Sequence, residues 1–160
     1  MIDKITGRAI VLGDNIDTDQ IIPARYLNTS EASGLAPHFM ENEYPDLASS
    51  IRKGDIIVAG KNFGSGSSRE HAVITIKGLG ISCIIAESFA RIFFRNAINT
   101  GIPVIEAKIN AENFHEISVD FSKSNIIYNG HIIKFKEYPE FLKNIIEHDG
   151  LINLVRSGKW

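Results

Sequence analysis

The sequence predicts a mixed α/β fold, a parallel βαβαβ core with an added antiparallel hairpin. Two observations carry this. Within residues 55–107 apolar strand-like runs alternate with helix-compatible runs, the order strand, helix, strand, helix, strand that builds right-handed βαβ units on a parallel sheet. Beyond residue 108 the runs become short, and Asn129-Gly130 joins two of them, a dipeptide suited to the positive φ angles of a tight hairpin turn. A length of 160 residues suits one domain, spanning 1–160, that buries about 70% of its unfolded surface.

The elements follow in order. Residues 4–12 read as a first strand, with Gly13-Asp14-Asn15 as the turn after it. Asp17-Thr18-Asp19 suits a polar loop or a helix N-cap before Ile21-Ile22. Two of these three residues are expected to be structural, and one carboxylate is left to orient a catalytic group. Residues 31–50, with Gly34, Pro37 and Pro45, read as a surface segment with one or two short helical turns around 35–43. Its length suggests a flap beside a binding site. A strand at 55–59 leads through a glycine- and serine-rich stretch into a helix at about 68–79, ended by Gly78 and Gly80. A strand at 82–86, a helix at 89–99 and a strand at 103–107 complete the core. Strands at 117–121, 126–128 and 132–135 form the antiparallel part. Pro139 opens an amphipathic helix with Phe141, Leu142, Ile145 and Ile146 on one side, and 151–156 form a last turn.

Composition narrows the function. A hydrophobic share of 44% and a charged share of 22% are those of an ordinary globular protein. A net charge of −2 argues against nucleic-acid binding, which favours clustered positive charge. No apolar run reaches the ~20 residues of a membrane helix, and residues 1–8 lack a signal-peptide core, so the cytoplasm is the expected compartment. The single cysteine, Cys83, lies among isoleucines, as an inert core thiol does. The histidines show no metal-ligand spacing, and no metal site is expected.

The chemistry concentrates in residues 60–71, Gly60-Lys61-Asn62-Phe63-Gly64-Ser65-Gly66-Ser67-Ser68-Arg69-Glu70-His71. Three readings compete. Ser67-x-x-Glu70 fits a capping box, which explains one serine but not Ser65, Ser67, Ser68 and Arg69 together. Gly64-x-Gly66, with Glu87 some way on, resembles a dinucleotide or phosphate-binding turn. Against it, Arg69 stands where a third glycine belongs and the turn from the strand is too long. The third reading is an anion site: backbone N–H groups at a helix N-terminus plus Arg69 bind carboxylates, and the same donors stabilise a serine alkoxide acting as a base. No histidine stands as a triad partner, and the nucleophile-elbow order is absent, which disfavours acyl transfer.

Three segments together resemble the small, swivelling domain of the aconitase superfamily: Asn62 to Ala72 as just quoted, Asp17-Thr18-Asp19-Gln20-Ile21-Ile22-Pro23-Ala24-Arg25-Tyr26-Leu27, and Glu87-Ser88-Phe89-Ala90-Arg91-Ile92-Phe93-Phe94-Arg95-Asn96 with Thr100-Gly101-Ile102-Pro103-Val104. The resemblance implies a swivelling β/β/α domain that docks on a separate large subunit, as a heterodimer or heterotetramer. It implies no cofactor on this chain and a [4Fe–4S] cluster on the partner, held by three cysteines with one iron open as a Lewis acid. The implied reaction on a small dicarboxylate is dehydration of 2-isopropylmalate and rehydration to 3-isopropylmalate, a step of leucine biosynthesis. The alternative is a relative acting on homoaconitate or another malate derivative. By position in the motifs, Ser67 matches the catalytic base, Arg69 the carboxylate-binding arginine, Ser68 an adjacent substrate-binding serine and Asp19 an acidic residue that orients the site. The loop after Tyr26 reaches the variable part of the substrate in this family. Leu27 then suits an isopropyl group, and the neutral Asn28 stands where an extra carboxylate would favour an arginine. A nucleotide- or phosphate-binding module using the same loop is the competing function of a different class.

Overall fold

The computed structural model describes residues 3–160; Met1 and Ile2, part of the stretch read as lacking a signal-peptide core, lie outside the described residues. The sheet has seven strands in the order β4-β3-β2-β1-β5-β6-β7. Strands β1 (Lys4–Val11), β2 (Ile56–Ala59), β3 (Cys83–Ala86) and β4 (Val104–Glu106) are mutually parallel. Strands β5 (Glu116–Asp120), β6 (Asn125–Tyr128) and β7 (His131–Lys134) continue antiparallel from the other edge of β1. One strand therefore serves both halves. The first part of β1, Lys4 to Arg8, pairs with β5, and Ala9 to Val11 pair with β2. The predicted parallel core is present. The antiparallel addition is larger than a hairpin, since β5 joins β6 and β7 to β1.

The parallel strands are covered on both faces. Every residue of β2 and β3 is buried, and Ile56, Ile57, Ile84 and Ile85 each contribute about 2 kcal/mol of burial free energy. Because β1 to β4 are laid down in one direction, right-handed crossovers put α4 (Glu70–Gly78) and α5 (Arg91–Thr100) on the same face. These helices contribute Ala72, Val73 and Ile76, and Phe93, Ala97 and Ile98, at helical spacing. Ile117, Val119 and Ile126 of the antiparallel half join the same core. The hairpin turn is as predicted, with both Asn129 (φ 49°) and Gly130 (φ 78°) in the left-handed region. Helix α6 (Glu140–Glu147) starts after Pro139 and buries Ile145 and Ile146, and α7 (Leu151–Ser157) follows. No helix among the described residues is long and apolar enough to cross a membrane.

Two expectations are corrected. Residues 31–50 are not simply a surface segment. Their short helices α2 (Ala32–Leu35) and α3 (Leu47–Ser50), with a 3-10 turn at Ala36–His38, bury Leu35, Phe39 and Met40 completely, because α2 and that turn pack against α4. The helix expected from 68 begins at Glu70, with Arg69 as N-cap and no side-chain cap bond, so Ser67 is not the cap of a capping box. That box lies elsewhere. Asp17 opens α1 (Thr18–Ile21): its carboxylate accepts from the Gln20 N–H at 2.8 Å, and the Gln20 side chain accepts from the Asp17 N–H at 2.9 Å.

One glycine of the central stretch is fixed by packing as well as by φ. Gly64 has φ +83°, and a Cβ there would meet the Phe93 ring at 2.2 Å. Gly64→Ala is expected to destabilise the fold by about 3 kcal/mol, backbone strain plus overpacking, and to lower Tm by roughly 10 °C. Gly130→Ala, with open space around its φ of +78°, carries the strain alone and is the comparison. Equal losses of Tm in the two variants would exclude the Phe93 contact as the cause.

Candidate active site

The central loop is laced between its neighbours at the carboxyl ends of the parallel strands, where open α/β sheets place their sites. On one side the Gly64 N–H donates to the Ile16 carbonyl at 2.7 Å and the Thr18 N–H to the Ser65 carbonyl at 2.9 Å. On the other side the Phe63 N–H donates to the Ser88 carbonyl at 3.0 Å and the Ala90 N–H to the Phe63 carbonyl at 2.9 Å. Phe63 is fully buried, edge-on to Phe93 at 5.2 Å and to Phe89 at 6.1 Å. The Thr18 hydroxyl donates to the Ser67 carbonyl at 2.9 Å. These bonds draw Ser65 to Ser67 against α1 and hold the loop open before α4 can start.

A cavity of about 210 Å3 forms there. Ser67, Ser68, Arg69 and Gly66 make one wall, and Arg91, Phe93 and Asn96 of α5 make the other. The Ser67 side chain is exposed and makes no hydrogen bond within the described chain. The N–H groups of Gly66, Ser67 and Ser68 find no acceptor among the described residues either. Arg69, with a quarter of its side chain exposed, forms an ion pair with Asp19, Nη1 to Oδ1 at 2.5 Å. Nη1 is wholly shielded and has no aligned hydrogen bond, so the contact is one of charge. Asp19 fixes where the guanidinium lies and leaves its other donors for a ligand.

Both arginines stand at helix N-termini, Arg69 at the N-cap of α4 and Arg91 as the first residue of α5. A cation there opposes the helix dipole and costs about 0.3–1 kcal/mol unless an anion joins it. Arg69 has Asp19. Arg91 has no carboxylate partner among the described residues. The cavity wall contains no acidic side chain, and its field favours an anion. A wider cleft of about 500 Å3, between the end of β1 and residues 43–50, carries Glu43 and Asp46 and no cation, the opposite polarity.

Of the residues predicted from sequence, the fold brings Ser67, Ser68 and Arg69 into one wall and sets Asp19 against Arg69. Ser65 is outside the wall, its carbonyl engaged by the Thr18 N–H in a bridge to Asp17. Leu27 and Asn28 are also outside it. Leu27 packs partly buried against the core, and Asn28 is exposed. The sequence reading gave no role to Arg91 and Asn96. The available signal was an arginine at the start of a helix, where the dipole disfavours it.

The family model described as the aconitase C-terminal domain matches residues 36–110. A 3-isopropylmalate dehydratase small subunit of Halothermothrix orenii is 52% identical over 160 residues, covering 97% of this chain and 97% of that one. A methanogen homoaconitase small subunit of Methanothermobacter thermautotrophicus is 51% identical over 151 residues, covering 93% of this chain and 89% of that one. The crystal structure of 3-isopropylmalate dehydratase from Methanocaldococcus jannaschii matches with a TM-score of 0.92 at 42% identity, covering 98% of this chain and 95% of that one. Similarity of this extent over nearly the whole length places the chain in the family of 3-isopropylmalate dehydratase small subunits, within the aconitase superfamily.

Proposed function

We propose that this chain is the small subunit of a hydro-lyase that interconverts 2-isopropylmalate and 3-isopropylmalate by removing water and adding it back in the other direction, a step of leucine biosynthesis in the cytoplasm. The observation that carries the mechanism is an unbonded Ser67 hydroxyl in a cavity flanked by Arg69, Arg91 and two helix N-termini. Arg69 binds one substrate carboxylate through its guanidinium fork, steered by Asp19. Ser68, in the same wall, supplies a hydroxyl to the same group. Ser67 takes the proton from the carbon beside that carboxylate, and the C–H electrons form the double bond as the neighbouring hydroxyl departs. The unfilled N–H groups of Gly66, Ser67 and Ser68 favour the serine anion this requires.

The departing hydroxyl needs a Lewis acid, and the residues of this chain do not fit an iron–sulfur cluster. Such clusters are held by thiolates. Cys83 is the single cysteine, it is buried in β3, and burial pushes its thiol up and away from the thiolate. The cluster belongs, on this reading, to a separate large subunit, and no donor set on this chain is assigned to it. The alternative substrate is homoaconitate, since a homoaconitase small subunit is about as similar as the isopropylmalate relatives.

Reconstitution tests the proposal. The purified chain alone should turn over neither substrate, and adding a cluster-bearing large subunit should give isopropylmalate isomerisation. Turnover by the chain alone would overturn the two-subunit reading. Tight calorimetric binding of a dinucleotide to the isolated chain would favour the competing phosphate-binding function.

A further inference from the structure

Residues 27–37 form a loop whose two ends are tied by one polar cluster. Arg25 and Tyr26 lie on the entering strand of chain, and His38, Glu41 and Asn42 on the returning one. Glu41 is the hub. Its Oε2 accepts from the Tyr26 hydroxyl at 2.6 Å and from Arg25 Nη2 at 2.7 Å, and its Oε1 meets His38 Nδ1 at 2.9 Å. An ionised carboxylate only accepts, so His38 carries its proton on Nδ1. The Tyr26 ring stacks on His38, centroids 3.7 Å apart and planes within 9°, and the Arg25 guanidinium lies 4.9 Å from the same ring. Arg25 also donates to the Asn42 side chain at 3.0 Å. The Tyr26 and His38 hydrogen bonds, with Arg25 adding to them, hold the Glu41 carboxyl down to about 2.

Between this stem and α2, which packs on α4, the chain is held mainly by the partly buried Leu27. Residues 28–34 are largely exposed, and their hydrogen bonds are local, such as Glu31 N–H to Thr29 Oγ1 at 3.2 Å and Gly34 N–H to the Glu31 carbonyl at 3.0 Å. The next fixed points are Leu35, fully buried, and the Met40 N–H, bonded to the Ile21 carbonyl at 3.1 Å. The direction in which the chain leaves Tyr26 is therefore set by the ring, stacked on His38 and bonded to Glu41, together with the packing of Leu27.

We propose that Glu41 is a positioning residue for substrate recognition: by clamping Arg25, Tyr26 and His38 it fixes the stem of residues 27–37, and so the placement of Leu27 and Asn28 toward the variable end of the substrate. This rests on the reading that Leu27 and Asn28 meet that end, although neither lies in the wall of the Ser67 cavity. The clamp acts through the loop and makes no contact with the reacting atoms.

The experiment uses the reconstituted two-subunit enzyme with Glu41→Ala, Glu41→Gln and Tyr26→Phe. Hydrogen exchange reads the clamp, and steady-state kinetics on 2-isopropylmalate and on a malate bearing a carboxylate side chain read recognition. For Glu41→Ala, exchange in 27–37 is expected to rise by roughly tenfold. KM for 2-isopropylmalate should rise about tenfold with kcat within about twofold, and discrimination between the two substrates should narrow. Glu41→Gln keeps an acceptor for the Tyr26 hydroxyl and should restore most of KM. Tyr26→Phe keeps the ring and loses one hydrogen bond, so it should give a smaller shift in the same direction. Unchanged exchange in both Glu41→Ala and Tyr26→Phe overturns the clamp. Raised exchange with KM unchanged for both substrates overturns its part in recognition. The underlying reading is tested separately by Asn28→Arg with the clamp intact, which should shift preference toward the carboxylate-bearing substrate; no shift would sink that reading whatever the exchange data show.

Discussion

Ser67→Ala is expected to lower kcat of the reconstituted enzyme by roughly 10³-fold, within the 10²–10⁴ range of a positioned general base. KM should move by less than about threefold, because the proposed mechanism gives the substrate carboxylate to Arg69 and not to this hydroxyl. The fold should not register the change. The side chain is exposed and makes no hydrogen bond within the described chain, so the stability loss should stay within about 0.5 kcal/mol. The combination separates catalysis from structure: a large fall in kcat at constant Tm. A variant that keeps kcat within about tenfold of the parent would remove Ser67 as the base. The proton would then have to be taken by another group, with Ser68 the adjacent hydroxyl in the same wall.

Arg69→Lys should raise KM by roughly 30-fold, with a smaller effect on kcat. The substitution keeps the charge and loses the planar fork that meets both oxygens of a carboxylate. It also disturbs the pairing with Asp19, which lies 2.5 Å from Nη1. A compact ammonium placed on Asp19 has no second donor plane to offer a substrate, whereas a guanidinium has donors enough for two acids at once. Calorimetric binding of a non-reacting dicarboxylate should weaken in parallel with KM. If both stay within about threefold of the parent, Arg69 is not the carboxylate ligand, and Arg91 on the opposite wall takes its place.

Much of this was legible in the sequence, for reasons that differ by element. The parallel core was readable because buried strands covered on both faces need unbroken apolar runs, as in Ile56-Ile57-Val58-Ala59 and Cys83-Ile84-Ile85-Ala86. The hairpin was readable because Asn129-Gly130 meets a local demand on φ. Residues 31–50 are mostly surface with short helical turns, as the sequence predicts, but their buried side is not legible in it. Their apolar residues are spread among prolines, glycines and short turns, so no period announces that Leu35, Phe39 and Met40 share a buried side. Leu27 and Asn28 were given a part in recognition, yet they sit outside the cavity wall of this chain. Their test lies with the Glu41 clamp and the Asn28→Arg variant.

The clearest division lies in two local signals of the same kind. Asp17-x-x-Gln20 and Ser67-x-x-Glu70 both spell a capping box, and the sequence alone does not rank them. The sequence determined that a strand, a glycine-serine loop and a helix follow one another at 55–79, with an arginine at the junction. Only tertiary structure decided that Asp17 caps its helix while Ser67 does not. Thr18 takes the Ser65 and Ser67 carbonyls for its own N–H and hydroxyl, which delays α4 until Glu70 and leaves the Ser67 hydroxyl unbonded. The same packing sets Asp19 on Arg69 and brings Arg91 into the cavity that Arg69 lines, residues far apart in the chain. A cap is a local bond that any short peptide can signal. A free hydroxyl between two helix N-termini depends on hydrogen bonds between segments about 50 residues apart, and no local pattern encodes that.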